Sequence, residues 1–174
     1  MLNALAKLYP QENKIVSHTT RSPREYEKNG KDYYFVSPQE FERLELEGKM
    51  LESSWFNSWS YGTSLLALEE NKLNFGVFNP EGLRSLDKNP SIQALIIICD
   101  CPDNIRLIRQ LGREKDPNIQ EIIRRYYADK NDFSDLDFTE RENTIVMRTD
   151  GSLTVKEEAN ILKQYIDDWA KFIK

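Results

Sequence analysis

The sequence predicts an α/β protein, a parallel sheet flanked by helices with a β-rich segment inserted near the amino end. Three observations carry this. The run "IQALIIIC", residues 92–99, is the most apolar in the chain, rich in isoleucine and bounded by Pro90 and Pro102, as a fully buried parallel-type strand would be. Strand-like and helix-period segments alternate toward both ends of the chain. Between residues 30 and 63 aromatic and polar residues alternate densely, which suits short strands and turns.

The elements follow in order. Leu2, Leu5, Leu8 and Tyr9 stand near helical spacing, and Pro10 ends that run. "KIVSHTT" reads as a short strand. "SPREYEKNGKD" is turn-rich, with Asn29-Gly30 as its strongest turn signal, and "YYFV" returns as a strand. A helix then starts with Ser37 as cap and Pro38 at its first position, has Glu40 three residues after the cap, and stops at Gly48. "LESSWFNSWSYGT" suits two strands and a turn. "SLLALEEN" reads as a short helix, "NFGVF" as a strand and "PEGLRSLDKN" as a helical turn or two. After the isoleucine-rich strand, Asp103 is placed to cap a helix with Ile105, Leu107, Ile108 and Leu111 on its apolar face. Ile119, Ile122, Ile123 and Tyr126 line a second helix. "NTIVMRT" is a last strand, and Thr154 with Glu157 forms a capping box on a closing amphipathic helix. The expected organisation is a single domain over residues 1–174, with an inserted subdomain over 17–75 and a lid-like helical segment over 103–135.

Composition narrows the function. With 174 residues, 39% of them apolar and 30% charged, the chain is long enough for one globular core. A net charge of −5 disfavours a nucleic-acid backbone as partner but leaves a small anion open, because local fields decide that. No run of 18 apolar residues occurs, so no membrane partner is expected, and residues 1–10 carry no cleavage signal. Cys99 and Cys101 read as reduced core or near-core thiols. With His18 as the only histidine no metal site is expected, and the whole pattern points to the cytoplasm.

The stretch "SHTTRSPREYEKNGKDYYFVS", residues 17–37, concentrates chemistry. Ser17, Thr19 and Thr20 offer hydroxyls, Arg21 and Arg24 can converge on one anion, and Tyr33 or Tyr34 can add a phenol. Read alone, these residues serve a phosphate site and a solvent-facing turn equally well. Further on, Glu52 in an apolar and aromatic setting can accept two hydrogen bonds from the N–H edge of a guanine, and Tyr61, Gly62 and Thr63 add donors. Trp55, Phe56, Trp59 and Tyr61 can stack a base, although a small core for the inserted segment fits them better. "YYADKNDFSDLDF" reads as a solvated acidic face.

Together, "SHTTRSPREYEKNGKDYYFVS", "LELEGKMLES" and "SYGT" resemble the guanylate kinase family in order and spacing across the whole segment that binds guanosine monophosphate (GMP). The resemblance implies a P-loop-kinase-like parallel sheet carrying a GMP-binding-like β-rich insert. It implies that Ser17, Arg21, Arg24 and Tyr33, with Tyr61, hold the GMP phosphate, and that Glu52 and Thr63 read the guanine edge. Arg113 in "LGREKD" is similar to a lid arginine that approaches the transferred phosphate, and Arg124 or Arg125 to a second one.

The family pattern also breaks. The donor cradle G-x-x-x-x-G-K-[ST] does not occur in the 174 residues: neither Gly30-Lys31 nor Gly48-Lys49 is followed by Ser or Thr. The sheet is therefore expected to be truncated, with bare edges that a second copy can cover as a homodimer. Where the family carries D-x-D-x-x-G, aligning Gly82 with its glycine places Val77 and Asn79 at the acidic positions, and Asn79 keeps only a neutral base contact. Near the donor base, where the family has N-D, the chain reads Arg148-Thr149-Asp150. The expectation is a non-catalytic guanylate kinase-like domain that keeps a GMP or phosphate pocket. Two alternatives stand beside it: an active guanylate kinase using ATP and Mg if a P-loop lies upstream, and a scaffold module for a phosphoprotein.

Overall fold

Strand pairing in this protein is mostly parallel or split into small ladders, and the reason lies in one short run of residues. The computed structural model describes residues 1–56, 58–113, 115–134 and 141–173. In it the expected strand "KIVSHTT" serves two sheets. Its first part, β1 (Asn13–Lys14), pairs parallel with β6 (Asn74–Phe75), and Ile15 still donates to the Phe75 carbonyl at 2.9 Å. Its last part, β2 (His18–Thr19), leaves to pair parallel with β3 (Tyr34–Phe35) and antiparallel with β5 (Trp59–Ser64). The ladder changes partner around residue 16, so one expected strand becomes two.

The four-stranded sheet runs β3–β2–β5–β4, with β4 (Met50–Phe56) antiparallel to β5. Helix α2 (Pro38–Leu46) begins as its sequence predicts, with the Ser37 side chain accepting from the Glu40 N–H. Past its end Gly48 takes φ +63, a conformation that disfavours a side chain. Phe41 and Leu44, one turn apart, are buried, and full burial of a Phe stabilises by about 2–3 kcal/mol. Helix α1 (Leu2–Leu8) contributes buried Leu5, and α3 (Pro80–Asp87) contributes buried Leu86. These elements belong to one compact unit, Leu2–Ile92.

The second unit, Gln93–Lys174, holds β7 (Ile96–Asp100) parallel to β8 (Thr144–Arg148), with α4 (Asp103–Leu111), α5 (Ile119–Asp132) and α6 (Val155–Phe172). Leu162 and Ala159 of α6 are almost inaccessible to solvent, and Ile166 is buried with them. The Thr154–Glu157 capping box closes the start of α6 as its spacing predicts. Both units mix helices with parallel strands, as an α/β protein does.

Several local expectations are corrected. The 92–99 run is parallel but not fully buried: in β7 only Ile96 is buried, because β8 is its one ladder neighbour among the described residues. Residues 65–67 form a single 3-10 turn without a side-chain cap rather than an α-helix. Asp103 does not cap α4. Pro102 holds that position, and the Asp103 carboxylate accepts instead from the Tyr126 hydroxyl and pairs with Arg106. Cys99 is exposed rather than a core thiol. Trp55 is 71% exposed and so is no part of a small core. Ile108, Ile119 and Ile123 are exposed on the faces that their spacing marks as apolar. Part of the acidic stretch, residues 135–138, lies outside the described residues. Among the described residues no helix is long and apolar enough to cross a membrane.

Candidate functional site

Strand period places the first side chains. Along β4 every second residue shares a face, so Glu52 and Ser54 point the same way. On the facing strand Thr63 lies opposite Glu52, and Tyr61 opposite Ser54. Thr63 is fully buried, and its hydroxyl lies 3.1 Å from the Ser17 hydroxyl at the head of β2. Residues distant in sequence thus meet at Thr63, with Ser17 on one side and Glu52 on the other.

The three hydroxyls of the opening stretch divide their work. Thr19 is fully buried and donates to the Ser60 carbonyl at 3.0 Å, while its oxygen accepts from the Arg21 N–H. Thr20 accepts from the Ser60 N–H at 2.8 Å. Both threonines therefore clamp β2 to β5. Ser17 is the hydroxyl that faces Thr63.

Arg21 is held rather than loose. Its two terminal nitrogens donate to the two Glu27 carboxylate oxygens, each at 3.0 Å, in a bidentate fork. Only 12% of the Arg21 side chain and 8% of the Glu27 side chain are exposed. The guanidinium also sits 5.7 Å from the Tyr33 ring centre and 5.8 Å from that of Phe35. The Glu27 bond, reinforced by the Tyr61 phenol, pushes the Arg21 pKa up against a smaller effect of burial. Arg21 in turn holds the Glu27 carboxyl below the usual range. Glu27 also accepts from the Arg24 N–H at 2.8 Å, so one carboxylate fixes the turn that carries both arginines. The Arg24 side chain reaches the Tyr26 hydroxyl. The Tyr33 and Tyr61 rings meet edge to face at 6.1 Å, and burial pushes the Tyr33 phenol pKa up.

The other end of the face is acidic and narrow. Glu52 is 9% exposed, and burial raises its pKa, opposed by hydrogen bonds from Thr63. A buried carboxylate of this kind ionises late and then seeks N–H donors strongly. It abuts the start of α3: a Cβ on Gly82 would lie 3.0 Å from Glu52 Oε2 and 3.1 Å from Asn79 Oδ1. Asn79 caps α3, accepting from the Gly82 N–H at 2.8 Å, and its Nδ2 donates to Ser54 Oγ at 3.1 Å. Val77 is 74% exposed and offers no acceptor.

The structure therefore brings Ser17, Arg21, Tyr33, Glu52, Tyr61, Thr63 and Asn79 onto one face of the first unit, with Arg24 on the adjoining turn. Glu27 and Ser54 were not singled out from sequence, and Gly82 served there only to align the D-x-D-x-x-G pattern. Ser54 was findable from its period of two after Glu52, and Glu27 from its place in the same turn as two arginines.

The lid candidates lie in the second unit. Arg124 and Arg125 of α5 both bond to Glu121, through Nε at 2.7 Å in each case, and Arg124 adds a second bond through a terminal nitrogen. They hold the Glu121 carboxyl down to about 2. Arg113 follows α4 at its carboxyl end, where its N–H donates to the Gln110 carbonyl. At the end of β8 Arg148 pairs with Asp150, and Thr149 just beyond it bonds back to the Asp100 carbonyl. Among the described residues no cluster of His, Cys, Asp or Glu could hold a metal ion.

The family model for guanylate kinase matches residues 1–165. The chain belongs to the guanylate kinase family. It is 35% identical over 121 residues to the guanylate kinase of Schizosaccharomyces pombe, a stretch covering 66% of this chain and 59% of that protein. It is 31% identical over 155 residues to the guanylate kinase of Haemophilus influenzae, covering 85% of this chain and 72% of that protein. The crystal structure of guanylate kinase from Anaplasma phagocytophilum shares the fold, with a TM-score of 0.68 at 24% identity over 95% of this chain and 79% of that one. Against the S. pombe protein and that of Wigglesworthia glossinidia brevipalpis, the matched stretch spans 59% and 58% of the relative, less than two thirds of each.

Proposed function

We propose that these 174 residues form the acceptor-binding side of a guanylate kinase-like domain, and that this polypeptide by itself binds GMP without transferring phosphate to it. The observation that carries the binding half is the meeting of Ser17 and Glu52 at buried Thr63, with Arg21, Tyr33 and Tyr61 grouped on the same sheet. Arg21, Arg24, Tyr33, Tyr61 and Ser17 hold the phosphate. Glu52 and Thr63 face the base, and Asn79 stands beside them. Residues 17–75 act as the monophosphate-binding insert and 103–135 as the lid-like segment, with Arg113, Arg124 and Arg125 as its candidate cations.

The non-catalytic half rests on two internal features. Phosphoryl transfer is positioning and electrostatics around donor phosphates and Mg²⁺. No G-x-x-x-x-G-K-[ST] run is present among these residues to seat a donor, and loss of a single donor of an oxyanion-type site already costs about 3–4 kcal/mol. Val77 and Asn79 are also neutral where the family pattern carries carboxylates. The second reading is an active guanylate kinase in which another segment supplies the donor cradle, with ATP and Mg²⁺ as co-reactants. It draws on the family match over residues 1–165 and on the part of its relatives that the chain does not span.

Calorimetric titration with GMP, then with ATP and Mg²⁺, followed by a coupled phosphoryl-transfer assay on the same polypeptide, separates the readings. Saturation by GMP with no turnover is the expected result, and Arg24→Ala is expected to weaken that binding at least tenfold. Turnover that tracks the purified chain overturns the non-catalytic half. Unchanged affinity in Arg24→Ala overturns the phosphate assignment.

A further inference from the structure

We propose that Tyr26 is a further phosphate-binding residue of this pocket, its hydroxyl donating to the same phosphate that Arg24 holds. The inference rests on the acceptor-pocket reading above and adds a ligand at its phosphate end. Tyr26 lies in the turn that carries Arg24. One residue closes that turn twice: the Glu27 N–H donates to the Arg24 carbonyl at 3.0 Å, and the Glu27 carboxylate accepts from the Arg24 N–H at 2.8 Å. Arg24 and Tyr26 therefore sit two residues apart on a tied loop. There the Arg24 Nη1 donates to Tyr26 Oη at 3.3 Å.

The direction of that bond decides what the phenol can do. A guanidinium carries donors only, so Tyr26 Oη is the acceptor of the pair and Arg24 makes no use of its proton. A hydroxyl that accepts from a cation becomes the better donor, and its proton rotates to meet a second acceptor. An anion that pairs with the Arg24 fork comes to lie beside Nη1, and so beside the phenol bonded to it. Two features favour a ligand role over that of an ordinary surface tyrosine. Tyr26 is 74% exposed, so packing does not account for its place. Arg21, in contrast to Arg24, is already committed: it gives two N–H groups to Glu27 and a third to the Ser22 carbonyl, out of five. Glu27 answers the Arg21 charge, so Arg24 is the cation of the two with most of its fork to offer. Its charge also acts on the Tyr33 phenol, against the larger effect of burial, which puts Arg24 and Tyr26 at the same end of the face as Tyr33.

Two measurements on the full chain test this. The first is calorimetric titration with GMP of the natural chain, Tyr26→Phe and Arg24→Ala. Tyr26→Phe removes the hydroxyl alone from an exposed ring, so the fold is expected to survive, and circular dichroism checks that it does. It is expected to weaken GMP binding at least about fivefold, as loss of a hydrogen bond to a charged group does. The second is NMR of the natural chain carrying isotope-labelled tyrosine, in which the Cζ resonance of Tyr26, assigned by its disappearance in Tyr26→Phe, follows the hydrogen bonding of the phenol. That resonance is expected to move on saturation with GMP. Unchanged affinity in Tyr26→Phe, with Arg24→Ala weakened, overturns the inference and leaves the acceptor pocket standing. A weakened Tyr26→Phe with no movement of the resonance also overturns it, since the phenol would then only hold Arg24. Failure of the natural chain to bind GMP, or unchanged affinity in Arg24→Ala, overturns the phosphate reading and the inference with it.

Discussion

At the scale of single residues, Glu27 is as consequential as any of the arginines it serves. It neutralises Arg21, bonds the Arg24 main chain and is shielded from water on most of its surface. Removing one member of so shielded a pair leaves the other charge uncompensated and costs about 3 kcal/mol. The sign of its pH dependence follows from its depressed pKa in the folded protein. Such a carboxylate stabilises fully above its unfolded value, 4.5, and that stabilisation is lost as pH falls below 4.5 through the lower folded value. Urea unfolding between pH 7 and pH 3 is expected to show Glu27→Gln well below the natural chain at pH 7, with the difference narrowing as the pH falls below 4.5. An equal difference at the two pH values would mean that the Arg21–Glu27 fork does not form in solution. Sequence reading singled out Arg21 and Arg24 through the resemblance of their stretch to the guanylate kinase family, since by themselves the residues suit a phosphate site and a surface turn equally well. It passed over Glu27 because a lone carboxylate in a turn carries no pattern, and its pairing depends on how that turn folds back.

At the scale of elements, the β4–β5 hairpin carries the candidate site. Its register sets Glu52 opposite Thr63 and Ser54 opposite Tyr61, and a slip of one residue would send all four side chains to the other face. Gly62 is the position on which this register rests. A Cβ there would meet the Glu52 carbonyl at 2.6 Å and the Met50 methyl at 2.5 Å, with the Phe41 ring at 3.1 Å. The methyl and the ring could shift, but the carbonyl belongs to the strand itself. Gly62→Ala is therefore expected to destabilise the chain by about 2–3 kcal/mol in urea unfolding, in the range of overpacked cores, and to weaken GMP binding by displacing Glu52. Destabilisation without any loss of affinity would show that Glu52 does not depend on this strand pair. The two strands of the hairpin were legible as alternating aromatic and polar residues, and α2 as a cap, a proline and a terminal glycine. The division of "KIVSHTT" between two sheets was not, because a change of ladder partner leaves no mark on local periodicity. The exposure of β7 was equally hidden, since an isoleucine-rich run does not say how many neighbours it will find.

At the scale of the whole molecule, every residue assigned to the monophosphate lies in the Leu2–Ile92 unit, and every lid candidate lies in Gln93–Lys174. This partition makes ligand response a regional measurement. A ligand that binds one unit stabilises that unit's native state by mass action, and hydrogen exchange slows where the bound state must open for exchange to occur. With GMP alone, protection is expected at residues 17–21, 50–64 and 79–83, where Ser17, Glu52, Thr63 and the start of α3 converge. No change is expected along α4 or α5. The charges of Arg124 and Arg125 are already answered by Glu121, whose carboxyl they hold down to about 2, so a second anion must compete with a resident one. Protection that spreads into the described residues of α4 and α5 with GMP alone would overturn the expectation that the ligand acts on the first unit only. Protection confined to the first unit would leave Arg124 and Arg125 paired with Glu121.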